Sequence, residues 1–122
     1  MKNIIKKVVL LLAVCLFPAF THAQEKKKEV LTIYFKVAGN CEQCKKRIEN
    51  AADIKGVKTS SWDEDTKILK VIYRADKVSE KQIKEAVAKS GHDAETFLAT
   101  EATYNKLPGC CKYRDRKCEE KK

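Results

Sequence analysis

Two cysteines, Cys41 and Cys44, stand two residues apart in the stretch "AGNCEQCKKRIE", with basic residues directly behind them. Cysteine acts as nucleophile and as metal ligand through its thiolate, so its chemistry depends on how readily the proton leaves. A pair at this spacing can grip a soft metal ion, make and break a disulfide, or staple a turn. Three further cysteines, Cys110, Cys111 and Cys118, lie in "GCCKYRDRKC" near the C-terminus, and His92 lies in "SGHDAE". Which chemistry applies depends on where the chain places these side chains.

The elements can be read from periodicity. Residues 30–37, "VLTIYFKV", alternate apolar and polar with Leu31, Ile33, Phe35 and Val37 on one face, which reads as a strand. Residues 38–41 form a loop. Residues 42–54 read as a helix with Cys44, Ile48, Ala51 and Ala52 on one stripe, and Gly56 suits its stop. Residues 57–63 and 67–73 read as two strands of a hairpin around "DEDT". Ser79 is an N-cap with Gln82 at the capping-box position, opening a helix to about Ser90 that buries Ile83, Ala86 and Val87. "AETFLA", residues 94–99, reads as a final short strand. The order β-α-β-β-α-β predicts a ferredoxin-like α+β fold, a four-stranded antiparallel sheet with two helices on one face. After Thr100 the periodicity stops, and residues 100–122 read as a polar, cysteine-containing tail.

This order puts Cys41 at the end of a loop and Cys44 in the first turn of a helix. Free backbone N–H groups and the helix dipole favour negative charge there, and Lys45, Lys46 and Arg47 add positive potential. Both effects promote the thiolate. Two convergent thiolates on a loop suit Cu(I), Zn or another thiophilic ion far better than Mg or Ca.

Strand, C-x-x-C loop, helix, "GV" opening the second strand and "SGHDAE" before the fourth together resemble the heavy-metal-associated domain family. That family includes periplasmic copper chaperones, mercury-binding proteins and the metal-binding domains of metal-transporting ATPases. The resemblance covers residues 30–99. It implies that Cys41 and Cys44 are metal ligands, with Cu(I) the first expectation and Zn or Hg others. It places His92 beside the metal as a third ligand or a hydrogen-bond partner of a thiolate. The family's usual lead-in is G-M-x-C; here it is Ala38-Gly39-Asn40-Cys41. Gly39 replaces a methionine that packs under the loop, which predicts a looser loop.

In the tail, adjacent cysteines rarely pair with each other, so Cys110 and Cys111 need separate partners or a joint metal site. One arrangement pairs either of them with Cys118. Another brings Cys110 and Cys111 back over Cys41 and Cys44 to complete a three- or four-sulfur site. Tyr104, Leu107 and Tyr113 are the apolar anchors that could dock the tail.

The N-terminus reads differently again. Lys2, Lys6 and Lys7 precede an apolar run over residues 8–17, and Thr21-His22-Ala23 offers a small residue at a cut, as in a secretory signal peptide cleaved after Ala23. A membrane anchor would need a run closer to ~20 residues. A lipoprotein cut before Cys15 would need a smaller residue than Val14. Residues 24–29 form a polar leader, and residues 30–99 the domain. Losing three lysines and no acid takes the 122-residue chain from a net charge of +9 to +6. The basic residues are interspersed with 17 acids and form no nucleic-acid module. The sequence therefore predicts an exported, periplasmic metal-binding protein. It would act as a metallochaperone or metal-transport accessory beside a metal-transporting ATPase or efflux component. It would not be an enzyme and would keep no membrane span after cleavage. The alternatives are a scavenging or sensing protein whose tail cysteines close the site, and a thiol–disulfide redox protein using Cys41 and Cys44. Against the redox reading, the chain lacks a W-C-G-P-C type surround and has the wrong strand order.

Overall fold

The computed structural model describes residues 28–115. The N-terminal segment read as a signal peptide, most of the polar leader and Cys118 lie outside the described residues. β1 (Val30–Lys36) alternates as its sequence demands, with even positions exposed and Phe35 buried. It pairs antiparallel with β3 (Ile68–Arg74), which pairs antiparallel with β2 (Val57–Trp62), giving the order β1-β3-β2. The register sets Ile33 opposite Val71 and Phe35 opposite Leu69, so apolar pairs stack on one face. The β2–β3 turn is tied by Asp63, whose Oδ1 accepts from the backbone N–H groups of Asp65 and Thr66.

Two helices contribute to the same core. α1 (Glu42–Ala52) buries Cys44, Ile48 and Ala52, one residue per turn. It ends two residues before the expected Ile54, because Asp53 leaves helical geometry and Gly56, at φ +102, turns the chain into β2. α2 (Glu80–Lys89) starts at the expected capping box. The Ser79 side chain accepts from the Gln82 N–H, and the Gln82 side chain accepts from the Ser79 N–H. It buries Ile83, Val87 and Ala88.

The fourth strand does not form. Residues 94–99 contribute only isolated bridges, Val37 with Ala94 and Ala94 with Phe97. Glu95 sits at φ +51, and Ala94 and Phe97 exchange both backbone hydrogen bonds, so the chain curls back on itself. Asp93 Oδ1 then accepts the Ala99 N–H at 2.7 Å and closes the loop. Alternation alone could not expose this turn, since a curled hexapeptide and a strand share one polarity pattern.

The tail is also more ordered than its polarity suggested. α3 (Glu101–Asn105) is capped by Thr100, whose side chain accepts from the Thr103 N–H, and a single 3-10 turn covers Gly109–Cys111. Tyr104 and Leu107 are buried, and Tyr113 packs against the core, as expected for tail anchors. Arg114 fastens the end, donating to Asp93 Oδ1, the Ala99 carbonyl and Glu101 Oε1 at 2.8 to 3.0 Å. The Tyr113 hydroxyl donates to the Gly91 carbonyl and accepts from the Asp93 N–H. Burial pushes the Tyr113 phenol up to about 12, so it stays neutral and serves both roles.

Gly91 is what lets the tail approach. It sits at φ +102, and a Cβ there would lie 2.9 Å from Leu107 Cδ2 and 3.0 Å from the Thr103 carbonyl. Gly91→Ala should cost about 1–3 kcal/mol in urea unfolding, with the tail losing protection first. Gly109→Ala, where a Cβ meets nothing within 4 Å, should stay within about 0.5 kcal/mol of wild type.

Candidate metal centre

The loop before α1 is anchored at every residue. The Val37 N–H donates to the Lys67 carbonyl, and the Ala38 N–H donates to the Asp93 carbonyl, both at 2.9 Å. The Val37 carbonyl accepts from Trp62 Nε1 at 3.1 Å, and the Ala38 carbonyl accepts from His92 Nδ1 at 2.8 Å. Gly39 then lies on the indole of Trp62. A Cβ on Gly39 would stand 3.0 Å from two ring carbons and 3.1 Å from Cys44 Cβ. The expected looseness at Gly39 is therefore absent, because a fully buried tryptophan fills the space beneath the loop.

Cys41 is the N-cap of α1 and Cys44 lies in its first turn. Their sulfurs are 3.2 Å apart. The third sulfur comes from the tail: Cys111 Sγ lies 3.7 Å from Cys41 Sγ. The ligand atoms of Cys41, Cys44 and Cys111 all lie within 4.8 Å of one another, and they form the one His/Cys/Asp/Glu cluster of this kind among the described residues. Cys44 and Cys111 are fully buried and Cys41 is partly exposed. Cys110, the other tail candidate, points elsewhere; its thiol donates to Gln43 Oε1 at 3.0 Å and lies 4.0 Å from Cys111 Sγ.

His92 is also outside the cluster. A carbonyl oxygen can only accept, so the Nδ1 that meets Ala38 carries the proton and Nε2 is a bare lone pair. That nitrogen is buried without a partner, and the ring stacks on Tyr113 with centroids 5.5 Å apart. Burial, reinforced by the charge of Arg47, holds the imidazole below its ordinary pKa. His92 is thus neutral at physiological pH and braces the loop through Ala38.

The three thiols differ in acidity. Burial alone would raise Cys41, but hydrogen bonds from Cys44, Cys111 and Cys110 outweigh it and the net shift is downward. Burial raises Cys44 and raises Cys111, and each is further affected by sharing space with the neighbouring sulfurs. Cys41 is therefore the most acidic of the three clustered thiols, and its sulfur neighbours are placed to hold its thiolate when it forms. The Cys44 thiol also donates to Asn40 Oδ1 at 3.2 Å, and Asn40 Nδ2 is buried without a partner. Lys45 is not a free surface charge, since its ammonium bonds Glu49 at 2.9 Å and the Trp62 carbonyl at 2.6 Å. Lys46 and Arg47 remain exposed.

Sequence reasoning paired Cys41 with Cys44 and raised Cys111. It did not identify Asn40 or Trp62. The signal for Trp62 was available: a glycine under a loop leaves a void that the only tryptophan in the chain is large enough to fill.

Residues 35–93 match the family model of the heavy-metal-associated domain. The chain carries a heavy-metal-associated domain. Solved structures of this domain type resemble it. A CopZ metallochaperone is 29% identical, covering 52% of this chain and 98% of its own, with a TM-score of 0.51. The N-terminal domain of a potential copper-translocating P-type ATPase from Bacillus subtilis, in its Cu(I)-loaded state, is 28% identical. It covers 54% of this chain and 85% of its own, at a TM-score of 0.51. Oxidised MerP from Ralstonia metallidurans, 22% identical over 55% of this chain and 96% of its own, shares the fold at a TM-score of 0.52. No curated protein matches the chain. The heavy-metal-associated domain accounts for about half of this chain, and the tail sulfur lies beyond its matched residues.

Gly39→Met places the family's residue at this position and should nevertheless destabilise the domain by about 1–3 kcal/mol through overpacking. Adding Trp62→Ala should recover part of that loss, because the methionine then occupies the vacated space; a double-mutant cycle in urea reads the coupling. Cys41 should be alkylated by iodoacetamide well before Cys44 and Cys111, with its rate reaching a plateau at lower pH than a free thiol's. Peptide mass mapping of a time course measures both.

Proposed function

We propose that this protein takes a soft, thiophilic ion as cargo on Cys41 and Cys44 and passes it on by thiolate ligand exchange. The observation that carries this reading is the pair of sulfurs 3.2 Å apart at the start of α1, within a heavy-metal-associated domain. The fit is chemical: three sulfurs without a carboxylate suit a soft ion. Cu(I) is the leading cargo, supported by the CopZ metallochaperone and the Cu(I)-loaded ATPase domain. Zn and Hg compete as thiophilic alternatives.

The transfer step follows from exposure. Cys41 is the accessible sulfur and Cys44 the buried one. An incoming thiolate meets the ion on the Cys41 side, a new sulfur–metal bond forms, and the Cys41 bond breaks. Cys44, the buried ligand, leaves last. No bond of an organic substrate is made or broken, so we read the protein as a carrier and not as an enzyme. Its place is the periplasm after signal cleavage, and its partner a metal-transporting ATPase domain or efflux component. No helix among the described residues is long and apolar enough to cross a membrane.

A second reading, retention of the ion instead of delivery, is favoured by one observation: Cys111 already lies 3.7 Å from the sulfur through which a partner would enter.

Reduced mature protein should bind one equivalent of Cu(I) tighter than micromolar in competition with bicinchoninate. Cys41→Ser and Cys44→Ser should each weaken binding by a factor on the order of 100 or more, about 2.7 kcal/mol. Absence of any such binding by the wild type would remove this reading, and insulin-reducing activity lost with Cys41→Ser would replace it with the redox one.

A further inference from the structure

We propose that the tail supplies the third ligand: Cys111 joins Cys41 and Cys44 in a three-sulfur site, and the strap from α3 to Arg114 must lift before the ion can leave. This inference rests on the soft-metal reading above and specifies the site and its regulation.

The geometry favours three sulfurs over two. An ion about 2.3 Å from each of three sulfurs sits in a triangle with edges of about 4.0 Å, whereas two sulfurs facing each other across it are about 4.6 Å apart. Cys41 and Cys44 are 3.2 Å apart, Cys41 and Cys111 are 3.7 Å apart, and all three lie within 4.8 Å. The pair must open by more than 1 Å to hold an ion linearly, but by less than that to share it with Cys111. On binding, each ligating cysteine that is still a thiol gives its proton to solvent as its sulfur–metal bond forms.

The strap is built to present that sulfur. The Cys111 N–H donates to the Pro108 carbonyl at 2.8 Å, which fixes the 3-10 turn. Leu107 packs on Gly91, and Tyr104 meets Tyr113 edge-on with centroids 5.2 Å apart. Arg114 then clasps Asp93, next to the His92 that braces Ala38. Leu107, Tyr113 and Arg114 therefore dock the strap on residues 91–93, the segment that also supports the Cys41 loop. Cys110, one residue away, is turned to Gln43 instead. Cys111 Sγ lies 3.7 Å from the sulfur of Cys41, the accessible one, so a partner thiolate arriving there competes with Cys111 for the ion. A ligand already tethered to the domain competes at a high effective concentration, which makes release slow until the strap is displaced.

X-ray absorption of the Cu(I)-loaded, reduced full chain should show three sulfurs around copper in wild type and in Cys110→Ser, and two in Cys111→Ser. Transfer of Cu(I) to bicinchoninate should speed up by roughly tenfold or more in Cys111→Ser. Arg114→Ala leaves every sulfur in place and loosens only the strap; it should also speed transfer, by less. Two sulfurs in wild type, or three retained in Cys111→Ser, would overturn the inference while leaving the soft-metal reading intact. Loss of a sulfur in Cys110→Ser instead would overturn it too. Wild type that binds no copper would bring down both.

Discussion

Trp62 sits at the join between the sheet, α1 and the cysteine loop. Its indole fills the space under Gly39, and its Nε1 holds the end of the β1 segment through the Val37 carbonyl. Its backbone N–H donates to Glu49 at 2.8 Å, and its carbonyl accepts from Lys45, both on α1. Sheet, helix and loop are thus tied through one fully buried residue. The cysteine loop can be rigid with a glycine at its centre because the rigidity comes from beneath it. A loop of this kind presents its sulfurs at a defined separation, which a soft metal ion reads as coordination geometry.

A second brace acts from the opposite side. His92 holds the Ala38 carbonyl, the Asp93 carbonyl holds the Ala38 N–H, and the same two residues receive Tyr113 and Arg114 from the tail. Burial lowers the His92 pKa, so the imidazole that holds Ala38 stays neutral. The heavy-metal-associated domain supplies Cys41 and Cys44, and the appended tail supplies Cys111. The tail is anchored by buried aromatic and aliphatic side chains with satisfied hydroxyls, the kind of contact that remains when surface charge is screened.

The parts of this structure that were legible in the sequence are those governed by local rules. Alternation showed β1 and β3, and the capping box fixed the start of α2 to the residue. The C-x-x-C position at a loop-to-helix boundary followed from those elements. The missing fourth strand was not legible, because "AETFLA" carries a strand's polarity while Glu95 adopts a left-handed conformation uncommon for a residue with a Cβ. The tail was half legible. Tyr104, Leu107 and Tyr113 marked it as anchored, but their spacing fits no single helix or strand period. The choice of Cys111 over Cys110 depends on one 3-10 turn, which no spacing rule resolves. His92 was placed beside the site by resemblance, yet only the structure shows that its bonded nitrogen faces the backbone.

The central question is whether sulfurs from the loop and from the tail close on one ion. The most direct measurement is cysteine footprinting by mass spectrometry on the reduced full chain, with and without one equivalent of Cu(I). With a shared site, Cys41, Cys44 and Cys111 should lose reactivity together at one equivalent, while Cys110 is alkylated to the same extent as in the metal-free protein. Protection of Cys41 and Cys44 with Cys111 still modified at its metal-free rate would contradict the shared site.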